Sequence, residues 1–145
     1  MATGRLVALT LALAALLPAA GSAQERKAAP PGAVVYFIYP RDGQVVQGGK
    51  LWVRMGLRNM GVAPAGVARD GTGHHHLLVD VDDLPADAGT VTNDRHHSQY
   101  GGGQTEARIE DLAPGKHTLQ LMLADESHVP FDPPVMSPKI TITVR

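Results

Sequence analysis

The chain has 145 residues, no cysteine, and 13 basic against 14 acidic side chains, for a formal charge of −1. That length holds one domain, the missing thiol excludes disulfides, cysteine-ligated zinc and thiol catalysis, and the near-neutral charge argues against nucleic-acid binding by phosphate neutralisation. Against this background the seven histidines stand out, and any bound metal has to be held by imidazole, carboxylate or thioether.

Residues 1–23 have the layout of a secretory signal peptide. Arg5 supplies the charged start, residues 6–20 are rich in Leu, Ala and Val, and Gly21-Ser22-Ala23 puts small residues before a cut at Gln24. The run is short for a membrane span, and no later run is long enough. The mature chain is therefore expected to be periplasmic or secreted, with no membrane span. The leader carries one Arg and no acid, so the mature chain would hold 12 basic and 14 acidic side chains, a net −2. No Cys stands at the cut, which excludes a lipobox anchor. Residues 24–32 (QERKAAPPG) are polar and Pro-rich and read as a linker, leaving residues 33–145 as the folded domain.

The domain repeats with a period of two, the strand period. Residues 33–39 are a β-rich run ending at Pro40, with a turn at Asp42-Gly43. Residues 50–58 alternate, with Leu51, Val53, Met55 and Leu57 on one face. Residues 59–73 hold four Gly and a Pro and read as a loop. In residues 74–82, His75, Leu77, Val79 and Val81 share one face, and His74, His76, Leu78, Asp80 and Asp82 the other. Residues 83–103 are mostly irregular, and 104–110 form a short strand before the turn Leu112-Ala-Pro-Gly115. Residues 116–125 alternate again, with His117, Leu119, Leu121 and Leu123 facing one way. Residues 126–138 contain four prolines and read as a loop or a broken edge strand. Residues 139–144 close the domain. Six or seven short strands and no amphipathic helix predict an all-β fold, a single antiparallel immunoglobulin-like β-sandwich; a small jelly roll is the alternative.

An up-and-down course would bring three segments to one end of that sandwich: His74-His75-His76, His96-His97 and residues 125–128. His117 would lie at the other end. A His-x-His pair on a strand projects both rings to one side, a chelating arrangement for zinc or copper. The candidate ligands are His74, His76, His96, His97 and His128. Each has a plainer alternative: a solvated strand end for His74 and His76, a titrating surface pair for His96 and His97. His75 points towards the core, as a ligand or a buried neutral ring. His117 follows the Pro-Gly turn and is expected to pin it. Asp125 is a weaker ligand candidate, and Met60 and Met136 are minor thioether candidates for Cu(I). There is no Gly-x-Ser-x-Gly motif and no hydrolase constellation, and Gly101-Gly-Gly103 lacks the Lys of a phosphate loop.

Several motifs together carry a resemblance. Met60-Gly-Val-Ala-Pro-Ala-Gly66, Gly73-His-His-His-Leu77, Asn93-Asp94 with His96-His97, Gly101-Gly-Gly-Gln-Thr-Glu106, Pro114-Gly-Lys-His-Thr-Leu119 and Asp125-x-x-His128-x-Pro130 resemble the DUF4399 family of bacterial exported proteins. The resemblance spans about residues 34–144. It implies an exported, immunoglobulin-like domain and no particular reaction. Two functions are expected in competition. One is a copper- or zinc-binding module for storage, delivery or sensing. The other is a non-catalytic envelope interaction domain with an envelope protein partner, its histidines forming a structural hydrogen-bond network. A metal-dependent enzyme, with Asp125 or Asp94 as carboxylate ligand, is a lesser expectation.

Overall fold

A computed structural model describes residues 25–84 and 93–145. The expected signal peptide lies outside the described residues, as do residues 85–92. The described chain forms strands β1 (Val34–Tyr39), β2 (Val45–Val46), β3 (Leu51–Arg58), β4 (Gly61–Val62), β5 (Thr72–Val79), β6 (His97–Gln99), β7 (Glu106–Ile109), β8 (Gly115–Ala124) and β9 (Ile140–Val144). The six strands of four or more residues coincide with the six strand segments expected from the sequence. The other three are short edge pairings, two of them parallel: β2 with β9 and β4 with β5. Among the described residues no helix is long and apolar enough to cross a membrane.

The strands make an immunoglobulin-like sandwich of two sheets. The smaller has the order β1-β3-β7; the larger runs β2-β9-β8-β5, with β4 and β6 both lying along the outer edge of β5. Alternation sorts the side chains between the layers. Val35, Leu51, Val53, Met55, Leu77, Val79, Leu119, Leu121, Leu123 and Ile142 point inward and form one buried cluster with Phe131 and Val135. His75 has the parity of Leu77 and Val79, and it too is buried.

The opposite face of the larger sheet is also dry. Leu78, Met122 and Ala124 are buried but stand outside the inner cluster, and His74 and His76 share their parity. The chain after β8 doubles back along that strand, with Leu123 N–H donating to Val135 O and Ser137 N–H to Leu121 O. Residues 27–29, expected as part of a linker, run beside this segment: Ala29 N–H donates to Asp132 O and Asp132 N–H to Lys27 O. The Lys27 ammonium pairs with Glu126 on the same loop.

β5 and β8 pack tightly at Gly73, where a Cβ would sit 2.5 Å from the Ala124 carbonyl oxygen and 3.1 Å from the Phe131 ring. Gly73→Ala should therefore cost about 1–3 kcal/mol in urea unfolding, the usual price of forced overpacking. An unchanged midpoint would mean that the two strands have room to part there.

Candidate metal centre

Strand parity sets the first half of the site. His74 and His76 project from the same face of β5, both with no exposed surface, and their Nε2 atoms are 2.9 Å apart. The tight turn after β8 brings in His128. Asp125 Oδ1 accepts the N–H groups of Ser127 at 2.8 Å and Val129 at 2.9 Å, while His128 N–H donates to the Asp125 carbonyl. His128 takes a left-handed conformation, φ 63°, uncommon for a residue with a Cβ. Held in this way, its Nδ1 lies 2.9 Å from His74 Nε2. Asp125, weighed from sequence as a ligand, thus acts through the backbone, with Oδ1 already taken by two donors.

The third element is β6, unexpected from sequence. It runs antiparallel to β5 with His97 opposite Leu78. His97 Nε2 comes 2.9 Å from His76 Nδ1. His96, one residue earlier, turns the other way. Its ring donates from Nδ1 to the Val79 carbonyl at 3.1 Å, and it is exposed. It lines a cleft with His117, at the far end of β5. The expected convergence of six histidines therefore loses His96, because neighbouring residues of an extended chain face opposite sides. The cluster sits on the buried outer face of the larger sheet.

His74, His76 and His128 each offer a ring nitrogen within 4.8 Å of the others, and His74 Nε2 lies between His76 Nε2 and His128 Nδ1 at 2.9 Å from each. Each sp² ring nitrogen has one in-plane position, holding either a proton or a lone pair. His74 Nε2 has two nitrogen neighbours at 2.9 Å and can make a straight hydrogen bond to one of them. A cation at the meeting point would take all three lone pairs at once. His76 Nδ1–H would then donate to His97 Nε2, the kind of contact that fixes the orientation of a ligating imidazole. Two buried atoms, His74 Nδ1 and His75 Nε2, have no hydrogen-bond partner among the described residues.

Burial favours the neutral form of His74, His75, His76 and His97, the form that binds metal. Loss of water pushes His74 down to about 4, helped by the nearby His128. It pushes His76 down to about 2, with His74 and His97 adding to the effect. His75 and His97 are lowered for the same leading reason. His117 behaves in the opposite way. Its Nδ1 donates to Asp80 Oδ2 at 2.7 Å and its Nε2 to Ala113 O at 2.8 Å, so both nitrogens carry protons. The Asp80 bond is the main cause of its raised pKa. His117 pins the turn before β8, as its position in the sequence led one to expect.

Met60 packs against the inner core. Met122 lies opposite His76 across β5 and β8, and Met136 pairs with Met122 in turn. Sequence reasoning missed Met122 because alternation assigns its face but not its partner strand.

In the metal-free protein, stability should fall as pH drops below about 6.5, by up to about 1.4 kcal/mol per pH unit each for His74 and His76, with His75 and His97 acting in the same direction. The unfolded chain binds protons there that the folded His74, His75, His76 and His97 refuse. His117 opposes this trend: its contribution is full below its unfolded pKa and is lost as pH rises through the folded one. Chemical denaturation at pH 7.5 and pH 5 checks the balance, which the large shifts of His74 and His76 decide towards acid lability. Equal stability at the two pH values would contradict it.

Comparison with known proteins bears out the family resemblance. The model of a domain of unknown function, DUF4399, matches residues 53–145. No curated protein matches the chain. Among solved structures, the solution structure of the PKD domain (329–428) from human KIAA0319 is similar at 11% identity and a TM-score of 0.38, over 86% of this chain and 89% of that one. The chain belongs to the DUF4399 family.

Proposed function

We propose that this protein is an exported metal-binding module, working in the periplasm or outside the cell, that holds copper or zinc through His74 Nε2, His76 Nε2 and His128 Nδ1. The observation that carries this reading is the His74 Nε2 atom, 2.9 Å from each of the other two nitrogens. Three ligands leave a further position for water or for a donor from a partner, which suits storage and delivery more than permanent structural use. His128 is the least buried of the three and marks the side from which an ion or an envelope protein partner would approach.

Imidazole suits both ions, and the affinity order favours copper. The thioether of Met122, cross-strand from His76, adds a soft neighbour of the kind Cu(I) accepts.

One observation favours a second reading, a non-catalytic interaction domain ordered by a hydrogen-bond network. All three ring-to-ring contacts are at hydrogen-bond distance. That network leaves His74 Nε2 shared between two partners, and half-satisfied buried networks are costly.

Calorimetric titration of untagged, metal-free protein separates the two. The metal reading predicts a Kd below about 10 μM for Cu(II), with a rise in melting temperature that chelator reverses. The double variant His74→Ala/His76→Ala should lose binding. His97→Ala should weaken it by about 10–100-fold, since it removes an orienting acceptor rather than a ligand. His96→Ala should leave it unchanged. No binding below about 10 μM, or equal binding by the double variant, would overturn the metal reading.

A further inference from the structure

The second face of the molecule carries a different chemistry. The chain has one Trp, three Tyr and two Phe. The Trp and two of the tyrosines belong to the smaller sheet's outward face, on the opposite side of the sandwich from the histidines. Trp52 is 53% exposed. Tyr36 lies flat over Gly56, where a Cβ would come within 2.3 Å of its ring, and the Arg58 guanidinium stands 5.2 Å from the ring centre. A register shift between Phe37 and Tyr39 inserts Ile38 as an extra residue, so that Tyr39 pairs with Arg54. Cross-strand partners share a face, and Arg54 alternates outward with Trp52. The bulge therefore turns Tyr39 onto the same surface, a re-aiming that bulges commonly perform beside binding sites.

Tyr39, Trp52, Arg54 and Glu106 line one shallow concavity. Arg54 Nε and Glu106 Oε2 are 3.5 Å apart and both side chains are largely exposed. The concavity thus offers two aromatic surfaces, a fork of donors and a pair of acceptors, with no net charge. Arg108, opposite Trp52, is itself paired with Glu110.

We infer that this concavity is a binding site for a neutral saccharide. The C–H face of a pyranose ring is apolar and stacks on Trp52 and Tyr39, whose rings bring large contact area with few rotors to freeze. A sugar hydroxyl is both donor and acceptor, so it donates to Glu106 and accepts from Arg54. The carboxylate disfavours phosphate and acidic ligands, and the chain's slight negative charge disfavours nucleic acid. An acyl chain would strand the Arg54–Glu106 pair against hydrocarbon.

Trp52 is the sole tryptophan, so its emission reports on this face alone. The test titrates the purified protein with cellohexaose, chitohexaose and maltohexaose while following that emission. At least one should give a saturable shift, unchanged by chelator and by about 0.5 M salt. Tyr39→Ala and Arg54→Ala should each weaken it at least about fivefold, with the melting temperature retained. No response to any of the three at about 10 mM would overturn the inference. So would a stronger response to oligogalacturonate, an unaltered curve for Tyr39→Ala, or self-association in sedimentation that covers Trp52.

Discussion

One nitrogen governs the arrangement of the histidines. His74 Nε2 has a single in-plane position and two nitrogen neighbours at 2.9 Å. In water such a conflict is resolved by solvent, but His74 and His76 have no exposed surface. Low polarity around them makes protonation costly, so the simple relief of forming an imidazolium is closed at neutral pH. What remains is an arrangement of lone pairs that a cation would relieve.

The rest of the fold serves that geometry through ordinary devices. Strand alternation puts two rings on one face of β5 and the intervening His75 into the inner core. The Asp125 carboxylate gathers backbone N–H groups and turns the chain so that His128 reaches back over β5. β6 lays His97 against His76. At the far end, the protonated His117 ties Asp80 to the turn before β8, holding the β5–β8 pair in register. The same residue type thus plays opposite parts: desolvated rings kept neutral at one end, a solvent-touching ring kept charged at the other.

Much of this was legible in the residues. Alternation marked β3, β5 and β8, because each must bury one face, and short runs between turn signals marked β1, β7 and β9. Parity alone separated His74 and His76 from His75. His117 could be assigned a structural part from its place after the Pro-Gly turn. The edge pairings were not legible, since β2, β4 and β6 are too short to show a period and depend on tertiary neighbours. That is why His96 and His97 were grouped together. Asp125 was read by its charge, while its part in the fold rests on local hydrogen bonds to residues 127 and 129. Trp52 passed unremarked as one of many residues on an alternating strand; its exposure emerges once the two sheets are assembled.

The two outer faces give the molecule two separate chemistries, imidazole on the larger sheet and aromatic stacking on the smaller. Long-range ¹H–¹⁵N correlation spectra of the histidine rings, recorded with and without one equivalent of zinc, test the first most directly. The account predicts that His74 Nε2, His76 Nε2 and His128 Nδ1 move together to metal-bound shifts, that His97 Nε2 stays a hydrogen-bond acceptor, and that His96 and His117 do not respond. Unchanged ring nitrogens, or metal-bound shifts at His96 or His117, would contradict it.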